Sequence, residues 1–244
     1  MSASLLAIAK GYPYEAPTES FVYRDGVEQP LALTEDGGLP IDSWRNDGRV
    51  PVLAYGANRS ASALARKFAD WPEGTAIPVT RAQLRDHDIV YSSHLSRYGS
   101  APAKIDRVDG VTVEISVVWL TGPQLTRMHE TEGAQNYRFD RLDGLELALD
   151  DGEAVLTSVF AYIGKRPSLN HDGAPIPLAK IQAKDRRHPP LDQTGVLKLI
   201  RNRLAPGAPL DAFILQSIAC PVTRQQRTDR LGQLGGNLTG DPAA

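Results

Sequence analysis

The chain has 244 residues, of which 41% are hydrophobic and 23% charged, the composition of an ordinary soluble globular protein. Its formal net charge of -2 gives no electrostatic reason to expect nucleic acid or an anionic membrane as a partner. The single cysteine, Cys220, excludes an internal disulfide and a cysteine-rich zinc module, and we expect a cytoplasmic protein.

Residues 1–48 are predicted to form an N-terminal extension. The apolar run LLAIA at 5–9 is shorter than a secretory signal and far shorter than the ~20 residues of a membrane span. It predicts a docking turn of helix or a frayed start, and no membrane partner. SFVYRDGVEQPLAL at 20–33 predicts a β-hairpin around Asp25-Gly26, and loops are predicted at 34–40 and 45–48.

Residues 49–165 are predicted to form the core. VPVLAY reads as a strand buried on both faces, and ASALARKF places apolar residues at helical spacing after a cap at Asn58 or Ser60. GPQLTRMHE predicts a short helix with Leu125 and Met128 facing inward. The further strands predicted are DIVYSSH, APAKIDRV and VTVEISVVWL, the last two separated by a turn at Asp109-Gly110, and then YRFDRL, LELAL and AVLTSVFAYIG.

Residues 166–244 are predicted to form a helical C-terminal extension that packs on the core. Proline-rich loops precede two helices, TGVLKLIRNRL and LDAFILQSIAC, and a glycine-rich, frayed end follows. Strands dominate the middle of the chain and helices its end. This order predicts an α+β fold with a mainly antiparallel sheet that can close.

The stretch VLAYGANRS at 52–60 is the first candidate site. A buried strand ends at Tyr55, a loop of small residues follows, and a helix begins, so several backbone N–H groups and the positive helix end point to one place. Gly56 permits a positive φ, Ala57 leaves space, and Asn58 can cap the helix. The pattern fits a cradle for a small carboxylate, or a plain β-to-α turn without a ligand.

The stretch HETEG at 129–133 is the second candidate. Glu132 stands where a short helix ends, followed by Gly133, and Tyr137 begins the next strand. A glutamate at such an edge can be merely solvated. A partly desolvated carboxylate beside aromatic rings, at the mouth of a barrel, suits a general acid or base.

Other polar residues are assigned structural roles. The five histidines lack the spacing of a compact metal site, so no metal is expected. Asp86-His87-Asp88 is interpreted as a solvated turn, and Cys220 as a core filler. RRH at 186–188 and RQQR at 224–227 are interpreted as solvated basic faces.

The order of several motifs is similar to that of the γ-glutamyl cyclotransferase family and its AIG2-like relatives. The motifs are VLAYGANRS, APAKI, VEISVVWL, LTRMHETEG and YRFDRL, and they extend over about residues 50–163. The resemblance implies a small closed or nearly closed, mainly antiparallel β-barrel flanked by helices. It also implies that Tyr55, Gly56, Ala57, Asn58 and Tyr137 bind a small γ-glutamyl-type substrate, without a cofactor.

In that family the glutamate matching Glu132 is the catalytic acid/base. The resemblance therefore implies release of an amine or amino acid with formation of 5-oxoproline. Two departures from the family pattern stand out: Ala57 replaces the usual serine, and His129 stands where an aspartate is common.

Two alternatives remain open from the sequence. A binding or scaffold protein on the same barrel would have lost the chemistry, and a salt-bridged Glu132 would favour that reading. An amide hydrolase would use Glu132 to activate water. The sequence determines neither the leaving amine nor the oligomeric state.

Overall fold

The computed structural model describes residues 2–34, 38–150 and 154–239. The chain divides into two compact units. The first comprises Met1–Pro13, Asp88–Asp106 and Gly164–Ala244, and the second Tyr14–His87 and Arg107–Ile163. The division into an extension, a core at 49–165 and a tail stays a prediction. Within the described residues, no helix combines the length and the apolar character that crossing a membrane requires.

Five strands close into a barrel. They are β3 (Val50–Ala54), β4 (Ala76–Tyr91), β5 (Ala103–Leu120), β6 (Tyr137–Leu149) and β7 (Val155–Gly164). The strands follow one another in the order β5, β3, β7, β6 and β4, and a pairing of β4 with β5 completes the ring. β3 is antiparallel to β5 and parallel to β7, where Val52 lies opposite Phe160. The predicted α+β fold with a closed barrel is confirmed, and the parallel pair makes the barrel mixed.

The N-terminal hairpin is confirmed. β1 (Phe21–Arg24) pairs antiparallel with β2 (Val27–Pro30), and β1 also pairs with β4. Asp25 and Gly26 have φ values of 50° and 87°, as both central residues of a type I′ turn require.

The segment before the barrel contains a short helix that the sequence did not reveal. α2 spans Ile41–Asn46, so the loop predicted at 45–48 begins with helical residues. Its buried Trp44 packs on Trp119, with the ring centroids 5.0 Å apart, and this tertiary contact holds a helix of only six residues. The loop predicted at 34–40 lies partly outside the described residues.

Two helices cover one face of the barrel. α3 spans Ala61–Lys67 and α4 spans Gly122–Thr131. The predicted apolar stripes are confirmed, because Leu64, Phe68 and Met128 are buried against barrel side chains and Leu125 is packed beside them. Burying a leucine or methionine side chain fully stabilises the fold by about 1.5–3 kcal/mol. This layer fixes the ends of α3 and α4 beside the end of β3.

The turn predicted at Asp109-Gly110 is wrong. β5 continues through both residues, because Gly110 adopts a φ of 85° inside the strand. Its N–H donates to the Asp86 side chain over 2.7 Å, and Asp86 itself has a φ of 58° within β4. A kink that glycine tolerates replaces a chain reversal, so two predicted strands form one long strand.

The solvated turn predicted at Asp86-His87-Asp88 is also wrong. These residues belong to β4, and Asp88 is only 3% exposed. Arg186 binds both oxygens of Asp88, at 2.8 and 2.9 Å, so Arg186 does not lie on the expected solvated face. A buried carboxylate is tolerated here because a guanidinium pairs with it in bidentate fashion.

The first compact unit contains four helices among its described residues. They are α1 (Ser2–Gly11), α5 (Gln193–Leu204), α6 (Leu210–Ala219) and α7 (Pro221–Gln233), with the short strands β8 (Asn170–His171), β9 (Ala174–Pro175) and β10 (Ala183–Lys184). α5 and α6 were predicted. α1 confirms the helical reading of LLAIA, since Ala9 is fully buried and Lys10 forms an ion pair with Asp211 at 2.5 Å.

The end of the chain after α6 was predicted to be frayed. This prediction is wrong as far as residue 239, because α7 begins at Pro221, directly after α6. Cys220 caps α7 by accepting from the Thr223 N–H at 3.5 Å, and it is only partly buried rather than a core filler. Arg227 lies over the Phe213 ring, 3.9 Å from its centroid, so this part of RQQR is not a solvated face. Residues 240–244 lie outside the described residues.

Candidate functional site

The loop after β3 is a single 3-10 turn over Ala57–Arg59. The Ser60 N–H donates to the Ala57 carbonyl at 2.9 Å and closes the turn. Gly56 has a φ of -126°, so the loop does not use the positive φ that glycine permits. Tyr55 is only 5% exposed, and its hydroxyl donates to the Tyr162 carbonyl, which anchors the start of the loop.

The structure brings the two predicted motifs together. The Asn58 side-chain Nδ2 donates to Glu132 Oε1 at 3.0 Å, although the residues are 74 positions apart. Asn58 therefore does not cap α3; Ser60 occupies the cap position without a side-chain hydrogen bond. Glu132 is the C-cap of α4, and its N–H donates to the Met128 carbonyl at 3.1 Å. The packing of α3 and α4 on one barrel face causes this meeting.

Lys67 is a site residue that sequence reasoning missed. Its Nζ lies 2.5 Å from Glu132 Oε1, and the side chains are 16% and 18% exposed. Nζ also lies 3.5 Å from the Met128 sulfur. Lys67 is the last residue of α3 and lies off its apolar stripe, so its sequence context is that of a solvated lysine. Glu132 becomes the partner of Lys67 only because α4 packs beside α3 in the folded protein.

The two contacts of Glu132 leave one oxygen available. Asn58 and Lys67 both bind Oε1. Across residues 2–34, 38–150 and 154–239, no side chain donates a hydrogen bond to Oε2. Because the Glu132 side chain is 18% exposed, Oε2 is the oxygen that a small molecule can meet.

An aromatic group lies next to this carboxylate. The Tyr162 hydroxyl and His129 Nδ1 are 2.8 Å apart, and Phe139 meets the His129 ring edge-on with centroids 4.7 Å apart. Phe160 stacks on Phe139 at 5.2 Å. Burial, and then the nearby Glu132 carboxylate, raise the pKa of Tyr162, so its hydroxyl keeps its proton at neutral pH.

Tyr137 belongs to the barrel layer behind this group. It is partly buried against the apolar cluster that contains Leu64 and Met128. Its N–H donates to the Gly133 carbonyl at 3.0 Å and so fixes the path of the chain after Glu132. The substrate-binding role of Tyr137 stays a prediction.

Two clefts open on the barrel unit. One cleft of about 500 Å³ is lined by Asp70, Trp71, Pro123, Thr126, Arg127 and Glu130. A second of about 310 Å³ is lined by residues that include Tyr23, Phe68 and Trp71. Neither cleft is lined by Glu132 or by the loop at 55–58. No group of three or more metal-ligating side chains occurs among the residues that the structure describes.

Comparisons with known proteins add little to this geometry. No family model matches the chain, and no curated protein matches it. Among solved structures, the chain is similar to a protein from Arabidopsis thaliana whose structure was determined in solution. The two are 18% identical, the match covers 48% of this chain and 62% of that chain, and the TM-score is 0.36. A likeness of this degree carries no functional argument.

Proposed function

We propose that the protein is a γ-glutamyl cyclotransferase-like enzyme with Glu132 as its general acid/base. The observation that carries this proposal is the 3.0 Å hydrogen bond between Asn58 and Glu132. It joins the two motifs on which the family resemblance depends, the loop after β3 and the glutamate after α4. A loop and a carboxylate that merely stood in the same order along the chain would have no reason to touch.

The reaction needs only a base and a precise position. Glu132 Oε2 takes a proton from the α-ammonium group of a γ-glutamyl compound. The freed amine attacks the γ-carbonyl carbon, a new C–N bond closes a five-membered ring, and the bond to the leaving amine breaks. Glu132 then gives its proton to the leaving amine and accepts the second proton, which the ring nitrogen loses as it becomes an amide; this second proton passes to the released amine or to water. The products are 5-oxoproline and a free amine or amino acid, and no cofactor is required because the nucleophile belongs to the substrate.

The 3-10 turn supplies hydrogen-bond donors. The first N–H groups of a helical turn have no carbonyl partner within it, so those of Ala57 and Asn58 remain available to a ligand. Such donors suit a substrate carboxylate or the oxyanion that forms as the amine attacks. Ala57 lacks the serine hydroxyl usual in the family, so this role falls to the backbone.

Lys67 supports a second candidate, a non-catalytic ligand-binding protein. Its ion pair with Glu132 is the arrangement expected for a carboxylate that has become structural. The absence of the site from both clefts points the same way. The cyclotransferase is the stronger candidate because Lys67 binds Oε1 and leaves Oε2 accessible. An amide hydrolase, with a water molecule at Oε2, would use the same residues and differ only in its product.

Mass spectrometry of the products tests the proposal. Wild-type protein and E132Q would be incubated with γ-glutamyl amino acids, γ-glutamyl amines and glutathione. We expect 5-oxoproline from the wild type and a loss of about 10²- to 10⁴-fold in E132Q, the usual contribution of a general acid/base. Free glutamate, one water heavier, would identify hydrolysis instead. Equal turnover by E132Q would exclude Glu132 as the base, and no product from either protein would favour the binding role.

A further inference from the structure

Arg59 follows Asn58 and carries a charge that no described residue pairs. Arg59 ends the 3-10 turn, and its side chain is partly buried. Its Nε is buried and has no hydrogen-bond partner. Within the described part of the chain, neither terminal nitrogen of the guanidinium donates a hydrogen bond or lies within ion-pair distance of a carboxylate. A buried N–H group left unpaired loses its hydration without a compensating hydrogen bond, so this arrangement favours the binding of an acceptor.

The nearest carboxylate is already engaged. Arg81 Nη2 donates to Glu114 Oε2 at 3.0 Å, and this ion pair joins β4 to β5. Arg81 also donates to the Thr18 carbonyl through Nη1. Glu114 is therefore paired with Arg81, and Arg59 has no carboxylate within ion-pair distance among the described residues. Asp150 also lies near Arg81, since its N–H donates to the Arg81 carbonyl at 3.0 Å, and its carboxylate accepts from the Ser20 hydroxyl at 3.3 Å and forms no ion pair with Arg59.

The pKa of Arg59 agrees with a partly buried guanidinium that has no ion-pair partner across the described ranges. Burial lowers the pKa of Arg59 to about 10; the Glu114 charge opposes that shift and Arg81 reinforces it. The group still carries its proton at neutral pH, so the uncompensated charge persists under working conditions. A charge of this kind, held in a partly buried position, binds an oxyanion more strongly than a solvated arginine does.

We propose that Arg59 forms a subsite for a single carboxylate beside the Gly56–Asn58 loop. The single charge of the Arg59 guanidinium matches a monocarboxylate better than a doubly charged phosphate. In a 3-10 turn, successive side chains point about 120° apart, so Arg59 points away from the direction in which Asn58 reaches Glu132. Resting on the proposed function, the subsite selects γ-glutamyl substrates whose leaving group is an amino acid rather than a simple amine.

The direct test measures carboxylate binding without any reaction. N-Acetylglycine and its neutral counterpart N-acetylglycinamide would be titrated by NMR into the wild type, R59M, R59K and R85M. Arg85 is an exposed arginine of β4 paired with Glu146, so R85M removes the same charge from the same unit. We expect the wild type to bind the carboxylate about 10- to 100-fold more tightly than the amide, the size of one charge-assisted pair. R59M should lose that preference, R59K should keep part of it, and R85M should keep all of it.

Thermal unfolding separates a binding role from a structural one. R59M should unfold at the same temperature as the wild type or a higher one, because the guanidinium makes no hydrogen bond that folding would lose. A large loss of stability in R59M would overturn the proposal. So would an unchanged carboxylate preference in R59M, or an equal loss in R85M.

A product assay tests the proposed cyclotransferase activity independently of the Arg59 subsite. 5-Oxoproline formation from γ-glutamylglycine and from γ-glutamylmethylamide would be compared in the same variants. Carboxylate binding without 5-oxoproline would refute the cyclotransferase and leave the subsite intact. 5-Oxoproline from both substrates, with R59M equal to the wild type on each, would refute the subsite alone.

Discussion

Lys67 and Glu132 are 65 positions apart in the chain, and their Nζ and Oε1 atoms are 2.5 Å apart. The pair joins the last residue of α3 to the C-cap of α4. It fixes Oε1 and thereby decides which oxygen of Glu132 a substrate can reach. It is also the feature that best separates an enzyme from a binding protein on this barrel.

Replacing Lys67 should weaken both the fold and the reaction. K67M leaves a largely buried carboxylate without its cation, so we expect the free energy of unfolding to fall by about 1–3 kcal/mol. 5-Oxoproline formation should fall more than in K67R, which keeps the charge. Urea denaturation and product assays measure the two effects.

Lys10 provides the control. Its pair with Asp211 has the same length of 2.5 Å, but the side chains are 31% and 53% exposed. K10M should therefore cost less than about 1 kcal/mol, as exposed ion pairs do. Equal costs for K67M and K10M would contradict a special role for the Glu132 pair.

Asn58 should matter for turnover more than for stability. N58A removes one hydrogen bond from Glu132 and should lower kcat by about tenfold, the value of a bond to a charged group. N58D places a second carboxylate 3 Å from the first and should lower kcat further through repulsion. S62A, which removes a hydroxyl bonded to Ser60, is the neighbouring control and should retain full activity. Full turnover in N58D would contradict the arrangement.

His94 should make the protein less stable in mild acid. Burial lowers its pKa to about 3, and Arg166 adds to the shift, so the folded protein keeps the imidazole neutral. The unfolded chain binds a proton below about pH 6.5, and stability is therefore lost as the pH falls from there towards 3. This group alone should remove about 1.4 kcal/mol per pH unit, or about 2 kcal/mol between pH 6.5 and 5.

The measurement is urea denaturation at pH 7, 6 and 5. H94Q should be less stable at pH 7, because it disturbs the contact with Ser92, but it should lack the additional loss on acidification. H188Q removes an exposed histidine and should retain the wild-type pH dependence. The idea fails if H94Q and the wild type lose stability in parallel.

Gly236 should tolerate no side chain. Its φ is 78°, and a Cβ atom would lie 2.0 Å from the Ser168 carbonyl oxygen. G236A should therefore lower the free energy of unfolding by more than about 2 kcal/mol. G235A has a similar φ of 58° but no atom within 4 Å of the added Cβ, so it should cost only about 1 kcal/mol. Thermal unfolding of G236A and G235A separates the cost of the steric contact from the cost of the backbone conformation. Equal losses of stability in the two variants would contradict the steric explanation.

The sequence by itself determined the elements whose signals are local. The Asp25-Gly26 turn, the apolar stripe of α3 and the buried strand β3 depend on residues close together in the chain, and all three are present. Barrel closure agrees with the expectation too, since strands of alternating burial must cover their apolar face. The family resemblance singled out Asn58 and Glu132 separately, and the structure joins them.

Only the tertiary structure decided the roles of charged residues. Lys67, Asp88 and Arg186 all occur in polar surroundings along the chain, where the default reading is a solvated face. Their contacts are made between elements far apart in sequence, so no local pattern records them. The continuity of β5 through Gly110 has the same origin, because its N–H is satisfied by Asp86 from a neighbouring strand. Apolar periodicity can be read from residues that are close together in the sequence. The partner of a charged side chain is brought next to it only by folding.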